Sequence, residues 1–172
     1  MKKGTMDPRS MTKNHAAHKS HTAAAAGHYN RFAVMVLLSF ITMYVLMYAM
    51  ADSFSSVYSN INQVYMAGLM AAPMAILEVV LMRSMYTDFK LNLAILVLSL
   101  GALIFFWFGI RNQIGVNDAQ FARSMIPHHS GAILMCNEAN LTDPELKILC
   151  ANIVKGQREE VDQLKNILER LE

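Results

Sequence analysis

Residues 91–110 have the sequence LNLAILVLSLGALIFFWFGI, which contains no charged side chain. A helix of about 20 apolar residues is long enough to cross the ~30 Å hydrocarbon core of a bilayer. Residues 32–51 (FAVMVLLSFITMYVLMYAMA) form a second uncharged stretch, and residues 64–82 (VYMAGLMAAPMAILEVVLM) are apolar except for Glu78. The sequence therefore predicts three membrane-spanning helices, over residues 32–51, 64–82 and 91–110.

The composition of the whole chain agrees with a membrane protein. Charged residues make up 16% of the 172 residues and hydrophobic residues 54%, whereas soluble domains carry about 25% charged residues. The net charge of +2 gives no indication of a nucleic-acid partner. The sequence contains no Gly-rich phosphate loop, no Gly-x-Ser-x-Gly and no His-Glu-x-x-His. We therefore expect a protein that is not an enzyme and whose partners include membrane lipid.

The distribution of basic residues predicts the orientation in the membrane. Residues 52–63 contain no Lys or Arg, whereas Arg83 and Lys90 lie between the second and third spans. Six more basic residues precede the first span: Lys2, Lys3, Arg9, Lys13, Lys19 and Arg31. The positive-inside rule places the N-terminus in the cytosol and residues 112–172 outside, which means the periplasm if this is a bacterial inner-membrane protein. We expect residues 1–30, which are polar and Ala-rich, to be a disordered cytosolic arm, and residues 31–111 to form the membrane domain.

The segment after the third span has the pattern of two helices. Asn117 and Asp118 are good N-caps for the first, and Pro127 predicts a kink or a fresh helix start. The second helix begins either with a capping box of Thr142 and Glu145 or with Asp143 as the cap. Two helices joined by a tight turn form an antiparallel hairpin. We therefore predict an all-α protein, in which the hairpin packs on the membrane part or self-associates into an oligomeric bundle.

The stretch SMIPHHSGAILMC, residues 124–136, brings together sulfur and imidazole groups. Thioether, imidazole and thiol groups suit Cu(I) better than magnesium, calcium or manganese. Zinc fits less well, because no fourth ligand stands at a standard spacing. The alternative is that the histidines are incidental, since adjacent residues on a helix point about 100° apart. The candidate metal ligands are Met125, His128, His129, Met135 and Cys136.

A longer pattern gives these residues a family resemblance. The pattern is Asp-x-x-Phe-x-x-x-Met-Ile-Pro-His-His-Ser-x-Ala-Ile-x-Met over residues 118–135, followed by Gln157-x-x-Glu160. It resembles the domain of unknown function 305 family, and the three preceding spans resemble a membrane-bound branch of that family. The resemblance implies a ferritin-like helical fold, of which this hairpin would be half. It also implies copper binding, as in some periplasmic members, with Met125, His128, His129 and Met135 as ligands.

Cys136 and Cys150 each lie seven residues from Asp143, in the middle of the predicted turn. Residues equidistant from the turn of an antiparallel hairpin face each other, and disulfides form outside the cytosol. Two alternatives stay open. The cysteines could be free thiols that add soft ligands, or buried thiols that act as small apolar residues.

Methionines also recur along the second span. Met66, Met70, Met74 and Glu78 follow one another at steps of four, which forms a ridge on a helix and a candidate path for Cu(I). Alternatively, the methionines fill apolar gaps and Glu78 reaches the interface or pairs with Arg83.

The favoured function is a membrane-anchored periplasmic protein that captures Cu(I) in copper homeostasis. The alternatives are an oligomeric Cu(I) transporter and a metal-independent oligomerisation module.

Overall fold

A computed structural model describes the backbone of residues 8–172 and the side chains of residues 27–172. Every regular element in this part of the chain is helical, which confirms the all-helical prediction there. Short 3₁₀ helices at Met47–Met50 and Phe54–Ser56 follow the first of five α-helices. The α-helices are α1 (Pro8–Leu46), α2 (Ile61–Leu81), α3 (Phe89–Arg111), α4 (Asp118–Glu138) and α5 (Pro144–Leu171).

Three helical segments are long and apolar enough to cross a membrane, as predicted. They are Gly27–Met50, Ile61–Leu81 and Phe89–Arg111. The backbone of α1 begins at Pro8, so it is helical through most of the segment for which the sequence predicts disorder. The physical reason is the alanine content of this segment, because alanine has the highest helix propensity. Residues 1–7 and the side chains of residues 8–26 lie outside the described residues.

The central helix of the membrane domain is α2, which packs against both α1 and α3. Its most apolar window is 39% buried, compared with 6% in each of the other two spans. Small residues allow this close approach. A Cβ atom at Gly68 would lie 2.3 Å from the ring of Phe106, and one at Gly109 would lie 2.9 Å from the ring of Tyr65.

A tight turn connects α3 to α4. Gln113 and Gly115 adopt positive φ angles of 51° and 72°, and the hydroxyl of Tyr65 donates to the carbonyl of Ile114 at 2.6 Å. The side chain of Asn117 then caps α4 by accepting from the backbone N–H of Gln120. This turn brings α4 back over the end of the bundle at which α1 ends and α2 begins.

Of the two caps that the sequence offers for α5, the structure uses Asp143. Its carboxylate accepts from the backbone N–H of Leu146 at 2.9 Å, and Pro144 occupies the first turn, where a missing N–H costs nothing. The helix then packs along α4 through a small apolar core of Ala122, Ile126, Val161 and Leu168.

The contacts between α4 and α5 run in opposite order along the two helices. Cys136 near the end of α4 meets Cys150 near the start of α5. His129 meets Glu160 further along, and Arg123 forms an ion pair with the side chain of Glu172 at the far end. The two helices are therefore antiparallel in this structure.

Pro127 neither breaks nor restarts α4, which is one helix from Asp118 to Glu138. Because proline has no N–H, the carbonyl of Arg123 loses its partner within the helix. The side-chain amide nitrogen of Asn60 donates to this oxygen at 3.5 Å. Asn60 is also the N-cap of α2, so the site of the proline is a contact point between α4 and the membrane domain.

Candidate metal centre

The side chains of α4 divide between two faces of the helix. Residues seven positions apart lie on one face, because seven residues make almost two turns. His128 and Met135 share one such face, and His129 and Cys136 share the next. The structure turns the first pair toward the membrane domain and the second pair toward α5.

A cleft of about 540 Å³ lies where α4 rests on the ends of the membrane helices. Three of the candidate ligands, Met125, His128 and Met135, line it from α4. On the opposite side the lining includes Met47 and Met50, from the 3₁₀ turn that ends the first span, and Met66 in the second turn of α2. The cleft therefore collects five of the 14 methionines of the chain beside one imidazole.

The remaining polar groups of the cleft are neutral. They are the side-chain amides of Asn60, Asn62, Gln63 and Gln113 and the hydroxyl of Ser124. No carboxylate is among the lining residues, although carboxylates are the ligands that magnesium, calcium and manganese prefer. A neutral lining rich in thioethers is better suited to a soft ion of low charge.

The docking of α4 fixes the shape of this cleft. Ser130 is fully buried; its Oγ accepts from the backbone N–H of Asp52 at 2.8 Å and donates to the carboxylate of the same residue. Next to it, Gly131 lies so close to the chain that an added Cβ would be 3.3 Å from the carbonyl oxygen of Met50. These contacts hold α4 against the end of the first span.

A second set of contacts ties α4 to the start of α2. The side chain of Gln120 accepts from the backbone N–H of Ile61 at 3.0 Å. The amide of Asn62 donates to Gln113 at 3.0 Å and to Ser124 at 3.2 Å. Together with Asn60 at the carbonyl of Arg123, these bonds fix α4 before Pro127, whereas the contacts of Ser130 and Gly131 fix it after Pro127.

His129 does not line the cleft. Its side chain is 13% exposed, and its Nδ1 atom lies 2.8 Å from a carboxylate oxygen of Glu160 on α5. The contact is close, but it is not a well-directed hydrogen bond. Gln157 donates to the same carboxylate oxygen from 3.2 Å. The late Glu of the sequence pattern thus lies against His129, and the late Gln binds that Glu. The structure separates this histidine from the cleft that His128 lines.

Cys136 and Cys150 form a disulfide, with their Cα atoms 5.2 Å apart. A disulfide sulfur is not a thiolate, and the thiolate is the form that binds metals. Cys136 is therefore not available as a ligand while this bond exists, and the structure places it on the face of α4 that meets α5.

The methionine ridge of α2 starts in the cleft and continues along the membrane domain. Met66, Met70 and Met74 are 41%, 37% and 39% exposed, so the ridge lies on the outer surface of the three helices. Glu78, at its other end, accepts a hydrogen bond from the hydroxyl of Tyr86 at 3.2 Å. Burial, and secondarily this contact with Glu78, raises the pKa of Tyr86.

Within residues 27–172, no three side chains among His, Cys, Asp and Glu come together as a metal site. The methionines that line the cleft are the other candidate ligands in this part of the chain. Sequence reasoning put Met66 on the ridge but did not connect Met47 and Met50 with the histidine stretch. Their position in the sequence could have indicated this connection. Both lie at the end of the first span, which the sequence places on the same side of the membrane as residues 112–172.

Comparison with known proteins places the C-terminal helices in a family. The family described as domain of unknown function (DUF305) matches residues 113–172. An uncharacterized protein of Acanthamoeba polyphaga mimivirus is 32% identical over 139 residues, which cover 79% of this chain and 90% of that protein. This alignment is longer than the DUF305 region, so it includes part of the membrane helices. No solved structure matches the chain.

Proposed function

This chain belongs to the DUF305 family, and from that premise we propose that it is a membrane-anchored protein that binds Cu(I) in copper homeostasis. The binding site is the cleft between α4 and the membrane domain. The protein is not an enzyme in this proposal, since its task is to capture the ion and hold it. The two C-terminal helices are the half of a ferritin-like bundle that would carry the site.

The observation that supports this proposal most directly is the shared position of Met125, His128 and Met135. They lie up to ten residues apart in the sequence, yet they line one cleft. Thioether and imidazole groups together favour Cu(I) among the common metal ions. Zinc seldom uses thioether ligands, and no thiolate is available beside His128 to complete a zinc site. His129 and Cys136 are left out of the proposed ligand set because both face α5.

The proposed location of the cleft is the extracytoplasmic side of the membrane, the periplasm for a bacterial inner-membrane protein. Two observations favour this side. The loop of residues 52–63 has no Lys or Arg, as expected for a segment outside the cytosol. The disulfide between Cys136 and Cys150 is typical of an oxidising compartment.

Metal binding by the purified full-length protein in detergent tests the proposal. Cu(I) is titrated without oxygen in competition with a chromogenic chelator, and Cu(II) and Zn(II) are titrated separately. We expect about one tightly bound Cu(I) per chain and much weaker binding of Cu(II) and Zn(II), because soft thioether ligands prefer Cu(I) to these two ions. Met125→Leu with Met135→Leu should lose Cu(I), whereas Met82→Leu with Met85→Leu, outside the cleft, should keep it. The proposal would be contradicted if the wild-type protein bound no Cu(I), or if it bound Zn(II) as tightly as Cu(I).

One observation favours a second function, the transport of Cu(I). Met66 belongs both to the cleft and to the exposed ridge of α2, so an ion held in the cleft would already touch the start of the ridge. Because the ridge lies on the outer surface of the described membrane helices, neighbouring copies of the chain would have to enclose it, which makes the transporter a homo-oligomer. Reconstituted vesicles distinguish the two functions. Met70→Leu should abolish Cu(I) uptake by a transporter, while a protein that only binds Cu(I) gives no uptake even as wild type.

A further inference from the structure

We propose that the membrane domain supplies part of the Cu(I) site, through Met47, Met50 and Met66. The inference rests on the proposed function and extends it. The family pattern lies entirely on α4 and α5, whereas these three methionines stand before α4 in the chain. The site is then shared between two parts of the protein, and it exists only where α4 is docked on the membrane helices.

The first support is the arrangement of sulfur around the cleft. Met125 and Met135 line it from α4, and Met47, Met50 and Met66 line it from the membrane side. Methionine side chains are flexible and polarizable, so thioethers on both walls can move toward one ion. Met50 and Met135 are 50% and 55% exposed, which leaves the cleft open for the ion to enter.

The second support is that the two walls are held together by contacts beside the methionines. Gly131 lies against the backbone of Met50, and Asp52, two residues later, is bound by Ser130. Asn62, in the turn of α2 before Met66, donates to Ser124 next to Met125. Each wall is thus fixed to the other within five residues of a methionine. This is the preorganisation that a metal site built from separate elements needs.

The third support is the charge of the cleft. With no carboxylate in the lining, a divalent ion would bring two positive charges that no group there neutralises. A Cu(I) ion brings one, and its preferred ligands are the neutral sulfur atoms already present. More thioethers around the ion should therefore increase the preference for Cu(I) over Cu(II).

The test compares two triple variants of the full-length protein in detergent. In the first, Met47, Met50 and Met66 are replaced by leucine; in the second, Met35, Met43 and Met82 are replaced, which lie in the first span and directly after α2 and do not line the cleft. Met→Leu substitutions nearly conserve volume and are well tolerated. Cu(I) affinity is measured by chelator competition, and X-ray absorption of the bound copper reports how many sulfur atoms surround it. Thermal unfolding without copper shows that both variants fold.

We expect the first triple variant to lose Cu(I) affinity by about tenfold or more, the scale on which metal sites respond to lost supporting groups, and the bound copper to lose sulfur neighbours. The second variant should match wild type in both respects. Equal affinity and equal sulfur scattering in all three proteins would overturn the inference while leaving copper binding by α4 intact. A wild-type protein that binds no Cu(I) would overturn the inference and the proposed function together.

Discussion

His128 and His129 are adjacent in the chain and their ring centroids are 5.9 Å apart, but only His128 lines the cleft between α4 and the membrane domain. His129 lies with its Nδ1 atom 2.8 Å from the carboxylate of Glu160 on α5. The two imidazoles therefore lie in different surroundings. We propose that His128 is a metal ligand, whereas His129 joins α4 to α5.

The disulfide is expected to stabilise the pair of C-terminal helices without taking part in copper binding. Closing a loop between residues 14 positions apart stabilises a fold by about 3 kcal/mol in the chain-entropy model. Cys136→Ser with Cys150→Ser should therefore lower the free energy of unfolding of α4 and α5 by up to this amount, as measured by hydrogen exchange. Cu(I) stoichiometry should stay at the wild-type value. A double variant that folds but has lost its copper would show that Cys136 is a ligand after all.

Ser130 is expected to hold α4 on the end of the first span. Ser130→Ala removes two hydrogen bonds to Asp52 from a fully buried position, at a cost of about 0.5–1.5 kcal/mol for each bond. Thermal unfolding in detergent should shift to lower temperature, and amide exchange around residues 50–53 should become faster. Ser84→Ala, at an exposed position at the other end of the bundle, is the matched control. Identical exchange in both variants would argue against docking through Ser130.

The packing of α2 on α3 is expected to depend on Gly68. A methyl group there would lie 2.3 Å from the ring of Phe106, so the ring must shift, and overpacking of this kind costs about 1–3 kcal/mol. Gly101→Ala on α3 meets nothing within 4 Å and should leave stability unchanged or slightly higher. Unfolding of the two variants in mixed micelles measures the difference. If Gly68→Ala were as stable as Gly101→Ala, the described contact between the helices would be wrong.

Local features of the fold follow from the sequence because they depend on neighbouring residues only. The apolar stretches place the three spans within a few residues of the helices in the structure. Asn117 is the cap of α4, as its position before a periodic segment predicts. The division of α4 into two faces also follows from seven-residue spacing, which pairs His128 with Met135 and His129 with Cys136.

The contacts that build the cleft depend instead on how distant elements pack. Ser130 meets Asp52 across 78 residues of sequence, and neither residue carries a local signal for this contact. For the same reason, the sequence does not decide whether Pro127 kinks α4 or starts a new helix. The freed carbonyl of Arg123 faces Asn60, a residue of the membrane domain, and a continuous α4 is compatible with the proline because of that distant donor.

Cu(I) titrations of the full-length protein with His128→Ala and with His129→Ala test whether copper binds in the cleft. Both substitutions remove an imidazole from adjacent positions of α4. His128→Ala removes it from the face that lines the cleft, and His129→Ala removes it from the face that meets α5. We expect His128→Ala to lose Cu(I) affinity while His129→Ala keeps it and unfolds at a lower temperature. Equal retention of Cu(I) by His128→Ala, or loss of Cu(I) only in a well-folded His129→Ala, would contradict a copper site in the cleft.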